Sequence, residues 1–205
     1  MLEWVEDNSI IAIVRLDDLS SSVDLAKALR DGGVTTIEFT LTNPDATEAI
    51  AKVRDALGDS VCVGAGSTIT PKQVEEVVDC GAQFVVSPVT KRDVIETCHN
   101  HDIPTIPGAY TPSEIQIAWE MDVTAVKVFP ARNLGASYIK DVLAPLPHLR
   151  LIPTGGINVK NIADFIEAGV FAVGVGGALC NPQTIAERDW SAISKSAEAL
   201  REAIS

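Results

Sequence analysis

The chain has 205 residues, 46% of them hydrophobic and 21% charged, which suits a sizeable core and argues against disorder. A formal charge of −12 repels nucleic acid and anionic membranes, so neither is expected as a partner. No apolar run reaches the length of a membrane span, and the opening MLEWVEDNSI is acidic rather than signal-like.

In chain order, the β-like runs are IIAIVR (10–15), TIEFT (36–40), VCVGA (61–65), FVVS (84–87), PTIP (104–107), AVKVF (125–129), RLIP (150–153) and FAVGV (171–175). Each is nearly continuous in apolar residues, as expected of strands covered on both faces. Between them lie the helix-periodic stretches SSVDLAKALRDGG, DATEAIAKVRDALG, PKQVEEVVDCGA, KRDVIETCHNHD, PSEIQIAWEMD, ASYIKDVLAPL and VKNIADFIEAGV, with a last one over about 190–204. Eight β-runs, each followed by a helix and without a linker, predict a single (β/α)8 TIM barrel over residues 1–205. A doubly wound open sheet is the alternative, and the count of eight favours the barrel.

Thr70-Pro71, Thr111-Pro112 and Asn181-Pro182 each place a capping residue before a helix-opening proline. Gly32-Gly33, Gly81 and Gly169 stand where a left-handed residue would end a helix. Cys62, Cys80, Cys98 and Cys180 show no CxxC spacing and read as reduced thiols of a cytoplasmic protein.

A barrel carries its site at the carboxyl ends of the strands. Two-residue alternation puts Lys127 on a face with Ala125 and Phe129, and Glu38 with Thr36 and Thr40. Arg15 closes the first run after Ile11 and Ile13. An amine, a carboxylate and a guanidinium in one mouth invite imine chemistry. A lysine in a dry site has its charged form disfavoured and can attack a ketone. A carboxylate can shuttle protons, and an arginine fork suits a substrate carboxylate. The structural alternatives are an internal Lys127–Glu38 ion pair and an Arg15 that merely caps its strand. PTGGIN (153–158) and VGVGGAL (173–179) add glycine loops after the last two strands, which together favour an anion site. No HExxH or clustered His/Cys pattern calls for a metal, and His99, His101 and His148 read as solvated.

The segments IAIVR, GGVTTIEFTLTNPDA, VGAGST, GAQFVVSP, IPGAYTPSE, VKVFPA, PTGGI and VGVGGAL span nearly the whole chain. With them the chain resembles the 2-keto-3-deoxy-6-phosphogluconate / 4-hydroxy-2-oxoglutarate aldolases, class I enzymes on a (β/α)8 barrel. The resemblance implies that Lys127 forms the Schiff base and Glu38 is the general acid/base. It also implies substrate contacts from Ser67, where the family usually has threonine near the pyruvyl carboxylate, and from Pro88, Thr154, Gly155 and Gly156. Thr42 stands where many members carry a carboxylate-binding arginine; others end strand one as this chain does, which assigns that carboxylate to Arg15. The last phosphate loop reads Gly176-Gly177-Ala178, with glycine in place of the family's usual serine. The implied enzyme is a cytoplasmic homotrimer without cofactor or metal, releasing pyruvate and an aldehyde (glyceraldehyde 3-phosphate, glyoxylate or both) from a 2-oxo-4-hydroxy acid. The rivals are a phosphate-sugar isomerase or epimerase and a silent 2-oxo acid sensor.

Overall fold

The computed structural model describes residues 9–204, so most of the acidic opening stretch lies outside it. The strands are β1 (Ile10–Val14), β2 (Thr36–Thr40), β3 (Cys62–Gly66), β4 (Val85–Val86), β5 (Thr105–Ile106), β6 (Gly108–Ala109), β7 (Val126–Val128), β8 (Leu151–Pro153) and β9 (Val173–Val175). They coincide with the eight apolar runs to within two residues at most boundaries. The fifth run holds β5 and ends at Pro107, which has no N–H to give a ladder; β6 lies just beyond it, outside the eight runs. All pairings are parallel: one sheet runs β5-β4-β3-β2-β1-β9 and the other β6-β7-β8. A parallel bridge from Thr154 to Gly174 and a bond from the Phe171 N–H to the Leu151 carbonyl (3.0 Å) join β8 to β9. The result is an α/β fold on a curled parallel sheet.

The helices are α1 (Ser22–Asp31), α2 (Ala46–Leu57), α3 (Pro71–Asp79), α4 (Arg92–Asn100), α5 (Pro112–Trp119), α6 (Gly135–Leu143), α7 (Ile162–Glu167), α8 (Pro182–Ala186) and α9 (Trp190–Glu202). Thr70 and Thr111 form reciprocal capping boxes with Gln73 and Glu114, and the Asn181 side chain accepts from the Gln183 and Thr184 N–H groups. Such caps satisfy N–H groups that would otherwise lack partners, each worth about 1 kcal/mol. Gly33, Gly81 and Gly169 take the expected positive φ, but Gly32 has φ −85°. Its lack of a side chain serves packing instead: a Cβ there would collide with the backbone of Ser194 and the Cβ of Ala197 on α9.

The alternation along each strand separates two apolar clusters. Val126 and Val128 of β7 join Val14, Phe39 and Val63 in the large core beneath the helices. Ile11, Cys62, Phe84, Ile106, Ala125 and Ile152 fill the concave side of the sheet.

Candidate active site

Lys127 is the middle residue of β7, paired with Gly108 on one side and Ile152 on the other. Glu38 is the middle residue of β2, paired with Ile13 and Gly64. Flanking strands hold both backbones, so their side chains project onto the concave face as the alternation predicts. Lys127 is only 7% exposed and Glu38 2%. The amine Nζ lies 3.7 Å from Glu38 Oε1 and 5.4 Å from the centre of the Phe129 ring. A charge-assisted bond between such groups closes to about 2.7–2.9 Å, so this pair stands open. Glu38 Oε1 is buried and has no hydrogen-bond partner. A buried acceptor left unsatisfied is costly in a purely structural role.

The two groups form the floor of a cavity of about 480 Å³. Gly66 lets the carboxylate lie where it does, because a Cβ there would collide with Glu38 Oε1. Ser67 follows at φ +60°, a conformation that penalises a β-branched side chain more than serine. Ser67 and Pro88 line one wall, and Thr154, Gly155 and Gly156 line the opposite one. Gly176 and Gly177 close the circuit at the end of β9, and Arg15 reaches the cavity from the end of β1. The Arg15 segment is fixed from the side: Asn43 Nδ2 donates to the carbonyls of Leu16 and Asp17, both at 2.9 Å.

Every residue singled out from sequence therefore lines this cavity except Thr42. Thr42 is exposed in a neighbouring depression with Asn43 and Pro44, and its hydroxyl lies 2.9 Å from that of Thr40. Thr40 does line the cavity, so Thr42 is one side chain removed from it. Two polar lining residues had gone unrecognised, Arg132 and Asn158. Both sit in short turns past a strand end, where no periodicity marks them; position after FPA and PTGGI was the only available signal. Among the described residues, no group of three or more His, Cys, Asp or Glu could hold a metal ion, and none of the helices is long and apolar enough to cross a membrane. His99, His101 and His148 are exposed and lie outside the cavity.

A buried amine and a buried carboxylate on the floor of one cavity, with two arginines and several small residues in its lining, make an arrangement suited to carbonyl chemistry on an anionic substrate. Comparison with known proteins points the same way. The model of the KDPG and KHG aldolase family matches residues 2–196. The 2-dehydro-3-deoxy-phosphogluconate aldolase of Treponema pallidum is 37% identical over 196 residues, covering 95% of this chain and 92% of the relative. The 2-dehydro-3-deoxy-6-phosphogalactonate aldolase of Escherichia coli is 30% identical over 204 residues, 99% of this chain and 100% of the relative. A crystal structure of the KDPG aldolase of Legionella pneumophila, with pyruvate captured as a covalent carbinolamine intermediate, superposes with a TM-score of 0.88 at 31% identity, covering 98% of this chain and 97% of that one. The chain belongs to the KDPG and KHG aldolase family.

Proposed function

We propose that the chain is a pyruvate-releasing class I aldolase, with Lys127 as the Schiff-base nucleophile and Glu38 as the proton shuttle. The observation that carries this reading is the open Lys127–Glu38 pair at 3.7 Å on the cavity floor, with Glu38 Oε1 free to accept a proton. Lys127 Nζ adds to the C2 carbonyl of a 2-oxo-4-hydroxy acid. Glu38, having taken a proton from the Lys127 ammonium to free the amine, returns it to the carbinolamine hydroxyl, which leaves as water and gives the protonated imine. The Glu38 carboxylate then takes the proton of the C4 hydroxyl. The C3–C4 bond breaks, its electron pair passes into the enamine as the iminium is neutralised, and the aldehyde departs. Protonation of the enamine at C3 and hydrolysis of the imine release pyruvate and restore the amine. Phe129 beside Nζ helps to keep the amine out of bulk water. Arg15 holds the substrate's C1 carboxylate, with Ser67 and Pro88 beside the pyruvyl end and the loops at 154–156 and 176–177 receiving the aldehyde end.

The sheet is read as a closed (β/α)8 barrel in a single domain over residues 1–205. Supporting this, only Pro107 separates β5 from β6, and the Thr154–Gly174 bridge links β8 to β9. A homotrimer is supported by the exposed apolar side chains Ile69, Val89, Tyr110 and Ile117 on three consecutive units of the fold. A cytoplasmic setting suits the four free cysteines. An isomerase would call for a second carboxylate opposite the first; among the described residues, Glu38 alone supplies one to the cavity.

The test is Lys127→Met, which keeps the length and apolar stem of the side chain while removing the amine. Cleavage of both 2-dehydro-3-deoxy-6-phosphogluconate and 4-hydroxy-2-oxoglutarate should fall on the order of 10⁴-fold or more. Retention of wild-type turnover on both would sink the reading.

A further inference from the structure

The cavity carries more positive charge than a 2-oxo monocarboxylate needs. Its charged lining residues are Lys127, Arg15 and Arg132 against Glu38, three cations to one carboxylate, in a chain whose formal charge is −12. One arginine suffices for the substrate's C1 carboxylate. Among the described residues, neither arginine has a carboxylate partner within ion-pair distance.

Arg132 is also held in place. It sits in the short turn Ala131–Asn133 directly after Pro130, and the Ala131 N–H donates to the Thr154 carbonyl at 2.9 Å. That bond ties the turn to the loop that follows β8. The arginine's stem then crosses Gly156: a Cβ on that glycine would stand 3.1 Å from Arg132 Cγ and 3.2 Å from its Cβ. Gly156 has φ +81°, so both its backbone and the stem above it disfavour a larger residue. Across the cavity, Gly177 brings no side chain, and a Cβ there would meet nothing within 4 Å. That end of the cavity thus has open space, glycine backbone and one guanidinium whose stem packs over Gly156.

Taking the aldolase reading as its basis, we propose that Arg132 is a specificity-determining residue: it pairs with a second anionic group at the aldehyde end of the substrate, a phosphate or a carboxylate. Its planar fork matches either group bidentately, supplying the side-chain donors that the Gly176–Gly177 loop lacks. Arg15 and Arg132 then hold the two charged ends of one substrate, with the C3–C4 bond between them over Glu38 and Lys127.

The experiment compares wild-type protein with Arg132→Gln and Arg132→Lys on three probes: 2-dehydro-3-deoxy-6-phosphogluconate, its unphosphorylated counterpart and 4-hydroxy-2-oxoglutarate. Each protein is also treated with pyruvate and borohydride. In Arg132→Gln, kcat/KM for a doubly anionic probe should drop about 10- to 100-fold relative to the unphosphorylated acid. Arg132→Lys should recover part of that loss, and all three proteins should still trap pyruvate. A larger loss on the phosphorylated probe identifies phosphate as the partner; a larger loss on the dicarboxylate identifies carboxylate. Equal losses on all three probes, or none, overturn the proposal while leaving the aldolase reading intact. Failure of the wild-type protein to trap pyruvate overturns the underlying reading itself.

Discussion

The floor and the rim of the cavity are built differently. Lys127 and Glu38 lie mid-strand, with a paired strand on each side of their backbones and almost no exposure. Arg15 and Arg132 lie just beyond strand ends and are exposed; two bonds from Asn43 hold the segment after Arg15, and one bond to Thr154 holds the Arg132 turn. On the proposed mechanism, the floor fixes where bonds break and the rim fixes which molecule arrives. Mid-strand positions serve the reaction because sub-ångström placement of reacting groups governs its rate. Strand-end positions serve recognition because a long charged side chain can tolerate a shift of its backbone. Changes to the floor should therefore appear in kcat and changes to the rim in KM.

The largest effect short of removing the lysine should come from Glu38→Gln, which keeps the shape and removes the proton acceptor. It should lower kcat by about 10²–10⁴-fold in steady-state cleavage assays. A loss confined to KM would place Glu38 with the binding groups instead. Gly66→Ala breaks the same element from behind. The added methyl collides with Glu38 Oε1 and shifts the carboxylate without altering its chemistry. A loss of about 10- to 100-fold in kcat with little change in KM is expected.

At the rim, Asn43→Ala removes both bonds that fix the Leu16 and Asp17 carbonyls. The Arg15 segment loosens, and KM should rise about fivefold, equivalent to about 1 kcal/mol, with kcat nearly constant. An equal fall in kcat would blur the division between floor and rim.

The smallest effect concerns how dry the two apolar clusters are, Cys62 lying in the concave one and Cys98 and Cys180 in the core beneath the helices. Burial pushes the Cys62 thiol up from 9.0 to about 11 and that of Cys180 to about 12. Such thiols keep their protons in the folded protein at pH values where the unfolded chain has begun to lose them. Their contribution to stability is complete below pH 9 and declines as pH rises toward 11. Urea midpoints should accordingly fall across that interval. At about pH 8 a thiol reagent should leave Cys62, Cys98 and Cys180 unmodified, Cys80 being the one that is not fully buried. Fast labelling of native Cys62 would show that water reaches the concave cluster.

Much of this was legible in the chain itself, because strands and mid-strand residues obey periodic rules. IIAIV, TIEFT and VKV are recognisable as strands, and the two-residue alternation predicts that Lys127 and Glu38 both project into the barrel mouth. The proline-led helices at 71 and 112 follow from their caps in the same way. Loop geometry obeys no such period. Arg132 and Asn158 reach the cavity through turns whose direction depends on bonds to distant segments, such as the one from Ala131 to Thr154. Thr42 depends on loop geometry in the same way: its neighbour Asn43 turns inward to bind the β1 loop, and Thr42 is left exposed in the depression beside Arg15. Gly32 shows a different limit, since its role depends on α9, which lies far along the chain.

The most direct test of the central claim is borohydride reduction in the presence of pyruvate, followed by intact mass and peptide mapping. A single reduced pyruvyl adduct on Lys127 is the predicted result. Bound pyruvate without an adduct, or an adduct on a different lysine, would contradict it and leave Lys127 as an electrostatic partner of Glu38.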